Sequence, residues 1–316
     1  MNVLIVLNLP DSQRLRYPEG LKRAFPDLNI NLVNNHSLVD PYIADADVLI
    51  TFGPHMADHV FEKGKNLKWV QALGTGVDGI ADRQALRKDV IVTNMHGVHG
   101  DSMSESAILS MLALARDLPR NVRNQAKHEW GRWPSRLITG KTVGILGVGA
   151  IAEALAPRCK ALGMTVVGVT SGKRTVPGFD RMESKDRLAQ VVGEFDYFVL
   201  LTPYSKETHH LVNAAVLGAM KPRSFLVNLA RGGVVDETAL IEVLKNGPLA
   251  GAALDVFATE PLPKDSPLWD MENVIVTPHH GGFHDEYAQK ALPTIIENFK
   301  HFMAGDIAGM INRVKI

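Results

Sequence analysis

The run from Lys141 to Ala156 reads KTVGILGVGAIAEALA, and it limits what this chain can fold into more than any other stretch. Thr142 to Leu146 are mostly apolar or β-branched and too few for a helix, so they read as a buried strand. Gly147-Val148-Gly149 makes a tight turn, and Ile151 and Leu155 then recur at helical spacing. Strand, glycine turn, helix is the layout that aims a helix N-terminus and its free N–H groups at a phosphate. The dinucleotide fingerprint Gly-x-Gly-x-x-Gly/Ala is met by Gly147, Gly149 and Ala152, with Ala150 and Ile151 between them as further cofactor contacts. Gly147 permits the turn, Gly149 lets the backbone approach a pyrophosphate, and Ala152 is small enough for close helix–strand packing. The competing reading is a glycine turn that binds nothing, so the rest of the chain must decide.

With 316 residues, 46% of them hydrophobic, the chain is long enough for two domains with separate cores. Its 34 basic and 34 acidic residues balance, which argues against a nucleic-acid surface. A single cysteine, Cys159, excludes an internal disulfide framework and fits a reducing compartment. No apolar run approaches the roughly 20 residues needed to span a bilayer. Met1 to Leu7 lacks a basic leader and reads as a first strand rather than a signal peptide. A soluble cytoplasmic protein without membrane or nucleic-acid partners is expected.

The first hundred residues alternate. Strands are expected at Asn2–Leu7, Asn29–Val33, Asp47–Thr51, Lys68–Gln71 and Val90–Val92, with helices at Gly20–Phe25, His55–Lys63 and Arg83–Lys88. Ser102-Met-Ser-Glu105 matches a capping box that starts a long helix, which Pro119 perturbs or ends. Asn121 to Thr139 is basic, carries Trp130 and Trp133, and reads as a connector or arm. From Lys141 the alternation restarts, with strands at Met164–Val169, Tyr197–Leu201, Phe225–Leu229, Ala250–Leu254 and Val274–Val276. A last long helix over roughly Asp285 to Phe302 suits an element returning to the first half. The expected architecture is α/β, with two doubly wound parallel-sheet domains and a cleft between them. Residues 1–100 and 285–316 form a discontinuous, flavodoxin-like substrate domain, and residues 101–284 a Rossmann-type dinucleotide-binding domain.

Three segments end expected strands of the second domain: Asn228-Leu-Ala-Arg231-Gly-Gly-Val-Val-Asp236-Glu237, Leu254-Asp255-Val-Phe-Ala-Thr-Glu260-Pro261, and Thr277-Pro278-His279-His280-Gly281-Gly282. They bring an arginine, a carboxylate and a histidine to the rim that carries the glycine turn. Each type has a task in reducing a 2-keto acid. Arg231 is a permanent forked cation that can hold a carboxylate and polarise the adjacent carbonyl. His279 can give a proton to the forming alkoxide. Glu260, against the far ring nitrogen, would fix the tautomer and raise the histidine's basicity. The bland alternative is a surface ion pair and loop histidines, but three such residues at three strand ends favour function. The pairs His209-His210 and His279-His280 lack metal-ligand spacing, so no metal is expected. His96 and His99 fall near the expected domain junction, where they could line the cleft, but read more readily as polar loop residues.

These segments together resemble the D-isomer-specific 2-hydroxyacid dehydrogenase family, which includes glyoxylate/hydroxypyruvate reductases. The resemblance spans nearly the whole chain and is strongest from Lys141 to Gly282. It implies Arg231 as substrate anchor, Glu260 as histidine partner, His279 as acid/base and Asp255 as the group receiving the nicotinamide carboxamide. Thr202, Pro203, Thr208, Ala230 and His279 join the cofactor-side candidates. In the first half, Leu73-Gly74-Thr75-Gly76 resembles the family's substrate loop, whose Thr75 and Gly76 N–H groups would hold the substrate carboxylate as an anion nest. Arg231 and His279 complete the substrate set. The sequence departs from the family at Ala150, Ala258 and Phe283, none of them in the triad.

An NAD-binding chain carries Asp or Glu at the end of the next strand, to bond the ribose 2′-hydroxyl. Here stands Thr170, followed by Ser171-Gly172-Lys173-Arg174. With no carboxylate to repel a phosphate, and two cations and two hydroxyls to bind one, NADP(H) is expected in preference to NAD(H), which stays open. The resemblance implies a small 2-keto or 2-hydroxy acid as partner and a homodimer, with Ser102 to Trp133 as the arm. Phe52, His55, Trp133 and Phe283 are candidates for the substrate pocket. The alternatives are a dinucleotide-sensing corepressor of the same fold, or a dehydrogenase of formate, phosphite or 3-phosphoglycerate. The last is disfavoured because many such enzymes carry an extra regulatory domain and this chain ends soon after its long helix.

Overall fold

The computed structural model describes residues 1–53, 56–172 and 174–315. The chain divides into two compact units, Met1–His99 with His284–Ile316, and Gly100–Phe283.

The first unit holds strands β1 (Asn2–Val6), β2 (Asn29–Val33), β3 (Val48–Thr51), β4 (Trp69–Ala72) and β5 (Ile91–Thr93). Their order is β5-β4-β3-β1-β2, all parallel, and the short strand Arg313–Val314 adds antiparallel at the β5 edge. This is the flavodoxin-like order. β3 and β4 are buried at every position, as parallel strands covered on both faces must be. The helix Tyr287–Met303 buries Tyr287, Ala288, Ala291, Ile295 and Phe299, one face at helical spacing. That face joins Val3, Ile5, Val48, Ile50 and Trp69 in one core.

The second unit holds β6 (Thr142–Leu146), β7 (Thr165–Thr170), β8 (Arg181–Ser184), β9 (Tyr197–Leu200), β10 (Phe225–Asn228), β11 (Gly251–Leu254) and β12 (Val274–Val276). The order β12-β11-β10-β9-β6-β7-β8 is parallel throughout. Strand order reverses at β6, so the switch point lies between the carboxyl ends of β6 and β9, where a doubly wound sheet takes its ligand. The helix Gly100–Arg116 supplies Met103, Ala107, Met111 and Leu114 to the core it shares with Ala152, Leu155, Ala156 and Cys159 of the helix Ala150–Ala161. The α/β class with two mainly parallel sheets is the expected one.

Several local expectations need correction. The long helix begins at Gly100, so Ser102 lies inside it and donates its hydroxyl to the Gly282 carbonyl at 3.2 Å instead of capping. It ends at Arg116. Asp117 turns left-handed with φ 51°, and Pro119 opens the next helix, Leu118–Ala126, within its first two positions, where its missing N–H costs nothing. Part of the expected connector is therefore helical. Arg83–Lys88 is not a helix. The Arg87 guanidinium bonds the carbonyls of Gly64, Lys65 and Leu67 and ties this segment down as turns. β8 escaped notice because Arg-Met-Glu-Ser is a polar edge strand with no apolar run. No described helix is long and apolar enough to cross a membrane.

Candidate active site

The glycine turn follows β6. Gly147 has φ 92°, and a Cβ there would stand 2.5 Å from the backbone N and Cα of Thr202. No residue but glycine suits both the angle and the contact. Gly149 precedes the helix Ala150–Ala161, and a Cβ built on it meets no atom within 4 Å. The first N–H groups of that helix, Ala150 and Ile151 among them, have no intrahelical acceptor. An open glycine before unpaired helical amides fits a pyrophosphate. Thr202 and Ala230 are buried along the same rim, and the buried Thr208 donates its hydroxyl to the Pro203 carbonyl at 2.8 Å. At the end of β7 Thr170 Oγ1 accepts from the Gly172 N–H at 3.4 Å, and Ser171 is exposed. Arg174 reaches back, donating to Val148 O at 2.6 Å and to Glu153 Oε1 at 2.9 Å. Lys173 lies outside the described residues, as does the pocket candidate His55.

The rim beyond β10, β11 and β12 brings Arg231, Glu260 and His279 together. His279 Nδ1 and Glu260 Oε2 are 2.6 Å apart, and Glu260 Oε1 accepts the Phe257 N–H at 3.0 Å. Burial pushes the Glu260 carboxyl up. The hydrogen bonds from His279 and Phe257 and the charges of His279 and Arg231 outweigh it, and hold the group below its ordinary value. With Nδ1 engaged, Nε2 is the ring atom left to exchange a proton with a substrate. Arg231 Nη1 donates to Ala230 O at 2.7 Å. The two arms meet because Gly232 has no side chain: a Cβ there would lie 1.9 Å from the Phe257 carbonyl. Asp236 and Glu237 of the same segment are structural. Asp236 caps the helix Glu237–Asn246 through the Ala239 N–H, and Glu237 accepts the Ala258 N–H at 3.0 Å.

His279 itself is left-handed, with φ 51°. A residue with a side chain holds that conformation only where its surroundings impose it. Here the buried Asp255 does so. Its carbonyl accepts the His279 N–H at 2.9 Å. Its carboxylate takes Thr277 Oγ1 at 2.5 Å, the His280 N–H at 3.1 Å and the Gly281 N–H at 2.8 Å. Asp255 thus shapes the histidine loop.

In the first unit the segment Leu73–Gly76 follows β4. The Thr75 and Gly76 N–H groups donate to no acceptor among the described residues. Their loop is held from behind. Asn94 donates to Thr75 O at 2.7 Å, the Met95 N–H to Gly74 O at 3.0 Å, and the Tyr287 hydroxyl to Leu73 O. Thr75 Oγ1 is 2.9 Å from His99 Nδ1, and His99 Nε2 is 3.1 Å from the Tyr287 hydroxyl. His99 lies in a turn, as the sequence suggested, but is buried there at 8% exposure. Tyr287 was missed altogether. On an amphipathic helix it reads as core, and its partner Leu73 lies 214 positions away. Of the other pocket candidates, Phe52 packs on the Tyr287 ring, Trp133 lies under the Arg120 guanidinium at 4.2 Å, and Phe283 is exposed. Among the described residues no group of three or more His, Cys, Asp or Glu could hold a metal ion.

Residues 108–281, over half of the chain, match the family described as "D-isomer specific 2-hydroxyacid dehydrogenase, NAD binding domain". The chain belongs to the D-isomer-specific 2-hydroxyacid dehydrogenase family. Its curated relatives in that family include a glyoxylate reductase of Pyrococcus furiosus, 31% identical over 91% of this chain and 92% of that protein. A D-3-phosphoglycerate dehydrogenase of Methanocaldococcus jannaschii is 38% identical over 84% of this chain, which spans only 51% of that protein's length. Among solved structures, an NADPH-dependent glyoxylate/hydroxypyruvate reductase of Sinorhizobium meliloti, in complex with NADP and sulfate, superposes with a TM-score of 0.84 at 27% identity, covering 99% of this chain and 98% of that one. The 2-hydroxyacid dehydrogenase fold and an NAD(P)-binding domain of the oxidoreductase type thus rest on likeness along the chain as well as on the local geometry.

Proposed function

We propose that this protein reduces a small 2-keto acid of the glyoxylate or hydroxypyruvate type to the D-2-hydroxy acid. The observation that carries this is the His279–Glu260 pair at 2.6 Å, with the Arg231 charge acting on the same carboxylate. Arg231 anchors the substrate carboxylate and polarises its carbonyl. The N–H groups of Thr75 and Gly76 are the further anion contacts. His279 delivers a proton from Nε2 to the carbonyl oxygen, while Glu260 keeps Nδ1 protonated and the ring oriented. A nicotinamide dinucleotide, when bound, supplies the hydride. Gly147 to Ile151, Thr202 and Ala230 would hold it, with Asp255 toward its carboxamide.

NADP(H) is the proposed preference over NAD(H). It is supported by Thr170 and Ser171 where an acid would repel a 2′-phosphate, and by Arg174 lying against the glycine turn. The Sinorhizobium relative holds NADP. Assay of glyoxylate, hydroxypyruvate and 3-phosphoglycerate with both cofactors tests substrate and cofactor at once. The proposal expects keto-acid reduction with higher kcat/KM for NADPH, lost selectively in Arg174→Ala. Better turnover of 3-phosphoglycerate would replace it with the activity named for the Methanocaldococcus relative. His279→Ala should lower kcat by about 10²- to 10⁴-fold with cofactor binding kept, and unimpaired turnover would falsify the acid/base role. We also propose a homodimer through the helices Gly100–Arg116 and Leu118–Ala126, whose Leu109, Leu118 and Val122 are exposed, as is Trp130 in the segment that follows. Light scattering that finds only the 34.6 kDa chain would exclude it.

A further inference from the structure

We propose that Tyr287 and His99 are positioning residues that set the Leu73–Gly76 loop for anion binding, acting through a single chain of hydrogen bonds. The inference rests on the proposed role of that loop as a carboxylate site.

With a neutral His99 ring, the protons in this network have one consistent arrangement. Leu73 O can only accept, so the Tyr287 hydroxyl must donate to it. The Tyr287 oxygen then accepts from His99, which puts the ring proton on Nε2. His99 Nδ1 is left as an acceptor, and the Thr75 hydroxyl donates to it. The order is Thr75 to His99 to Tyr287 to Leu73, so the chain begins and ends on the loop it holds. Two consequences follow. The Thr75 hydroxyl is spent inward and offers a substrate no hydrogen, so the loop recognises an anion through its N–H groups. The carbonyls of Leu73, Gly74 and Thr75 are all drawn to partners behind the loop, by Tyr287, Met95 and Asn94 respectively. Turning a peptide carbonyl one way turns the N–H of the same planar unit the other way. Fixing the Gly74 and Thr75 carbonyls therefore aims the Thr75 and Gly76 N–H groups to the opposite side. Burial raises the Tyr287 hydroxyl well above its ordinary pKa, so it stays a donor across the working range.

A residue acting in this way alters substrate affinity more than chemistry. Tyr287→Phe keeps the ring against Phe52 and His284 and removes only the hydroxyl. It should raise KM for the keto acid about five- to tenfold, leave kcat within about twofold, and leave NADPH binding unchanged. Thr75→Val cuts the chain at its other end, and the double variant should raise KM by much less than the product of the single effects. Amide NMR with oxalate as probe separates this inference from the reading beneath it. If the wild-type Thr75 and Gly76 amides do not respond to oxalate, the loop is no carboxylate site and both ideas fall. If they respond in wild type and at the same oxalate concentration in Tyr287→Phe, the loop reading stands and the latch is overturned. Unchanged KM in both single variants, or effects that simply multiply, would also overturn it.

Discussion

At the scale of single residues, the depressed pKa of Glu260 makes a directional prediction. A carboxyl held below its ordinary value of 4.5 stabilises the folded state fully above that pH. The contribution is lost as pH falls through the lower folded-state value. Glu260→Gln should therefore reduce stability at pH 6 to 7 and lessen its acid dependence below about pH 4.5, read by denaturant unfolding across pH 3 to 7. The same variant should lower kcat/KM at least about tenfold, since His279 loses the partner that orients it. Cys159 makes the opposite kind of case: it is fully buried, and burial pushes its thiol up to about 12. Native protein should resist thiol reagents at pH 8 and react on unfolding; rapid native labelling would contradict its burial. The site was unevenly legible at this scale. Arg231, Glu260 and His279 each sit in a short local motif at a strand end, where type and order suffice to nominate them. Tyr287 meets His99 and Leu73 across 188 and 214 positions, which no local spacing can reveal.

At the scale of elements, two glycines separate folding from binding. Gly232→Ala would place a methyl group 1.9 Å from the Phe257 carbonyl, so the segments after β10 and β11 must part. A cost of about 1–3 kcal/mol and loss of turnover are expected together, because Arg231 moves with its segment. Gly149→Ala meets no protein atom within 4 Å. It should fold with nearly unchanged Tm yet bind a nicotinamide dinucleotide more weakly, and calorimetry beside thermal melting would tell the two apart. The alternating strands and helices were readable because buried parallel strands are apolar runs and their helices amphipathic. What failed were elements whose signal is weak or borrowed. β8 is polar, Arg313–Val314 is two residues long, and the Ser102 capping pattern lies inside a helix whose start depends on neighbours.

At the scale of the whole molecule, every strand pair of the second sheet lies within Gly100–Phe283. That segment expressed alone should fold cooperatively, and a molten circular-dichroism profile would refute its independence. The first unit is different, because its core needs the helix Tyr287–Met303. Phe299 packs edge-on against Trp69 with ring centres 4.8 Å apart, and Phe299→Ala should cost about 3–5 kcal/mol. The buried Asn298 adds polar ties, donating to Gln71 Oε1 and Ile311 O at 3.2 Å each and accepting the Ile311 N–H at 2.6 Å. This arrangement has a consequence for synthesis. A ribosome finishes all of Gly100–Phe283 before it makes Tyr287, so the inserted unit can fold while the first 99 residues wait with one face of their sheet uncovered. For that interval the exposed flank of β1, β3 and β4 is the part of the nascent chain that a chaperone would have to shield.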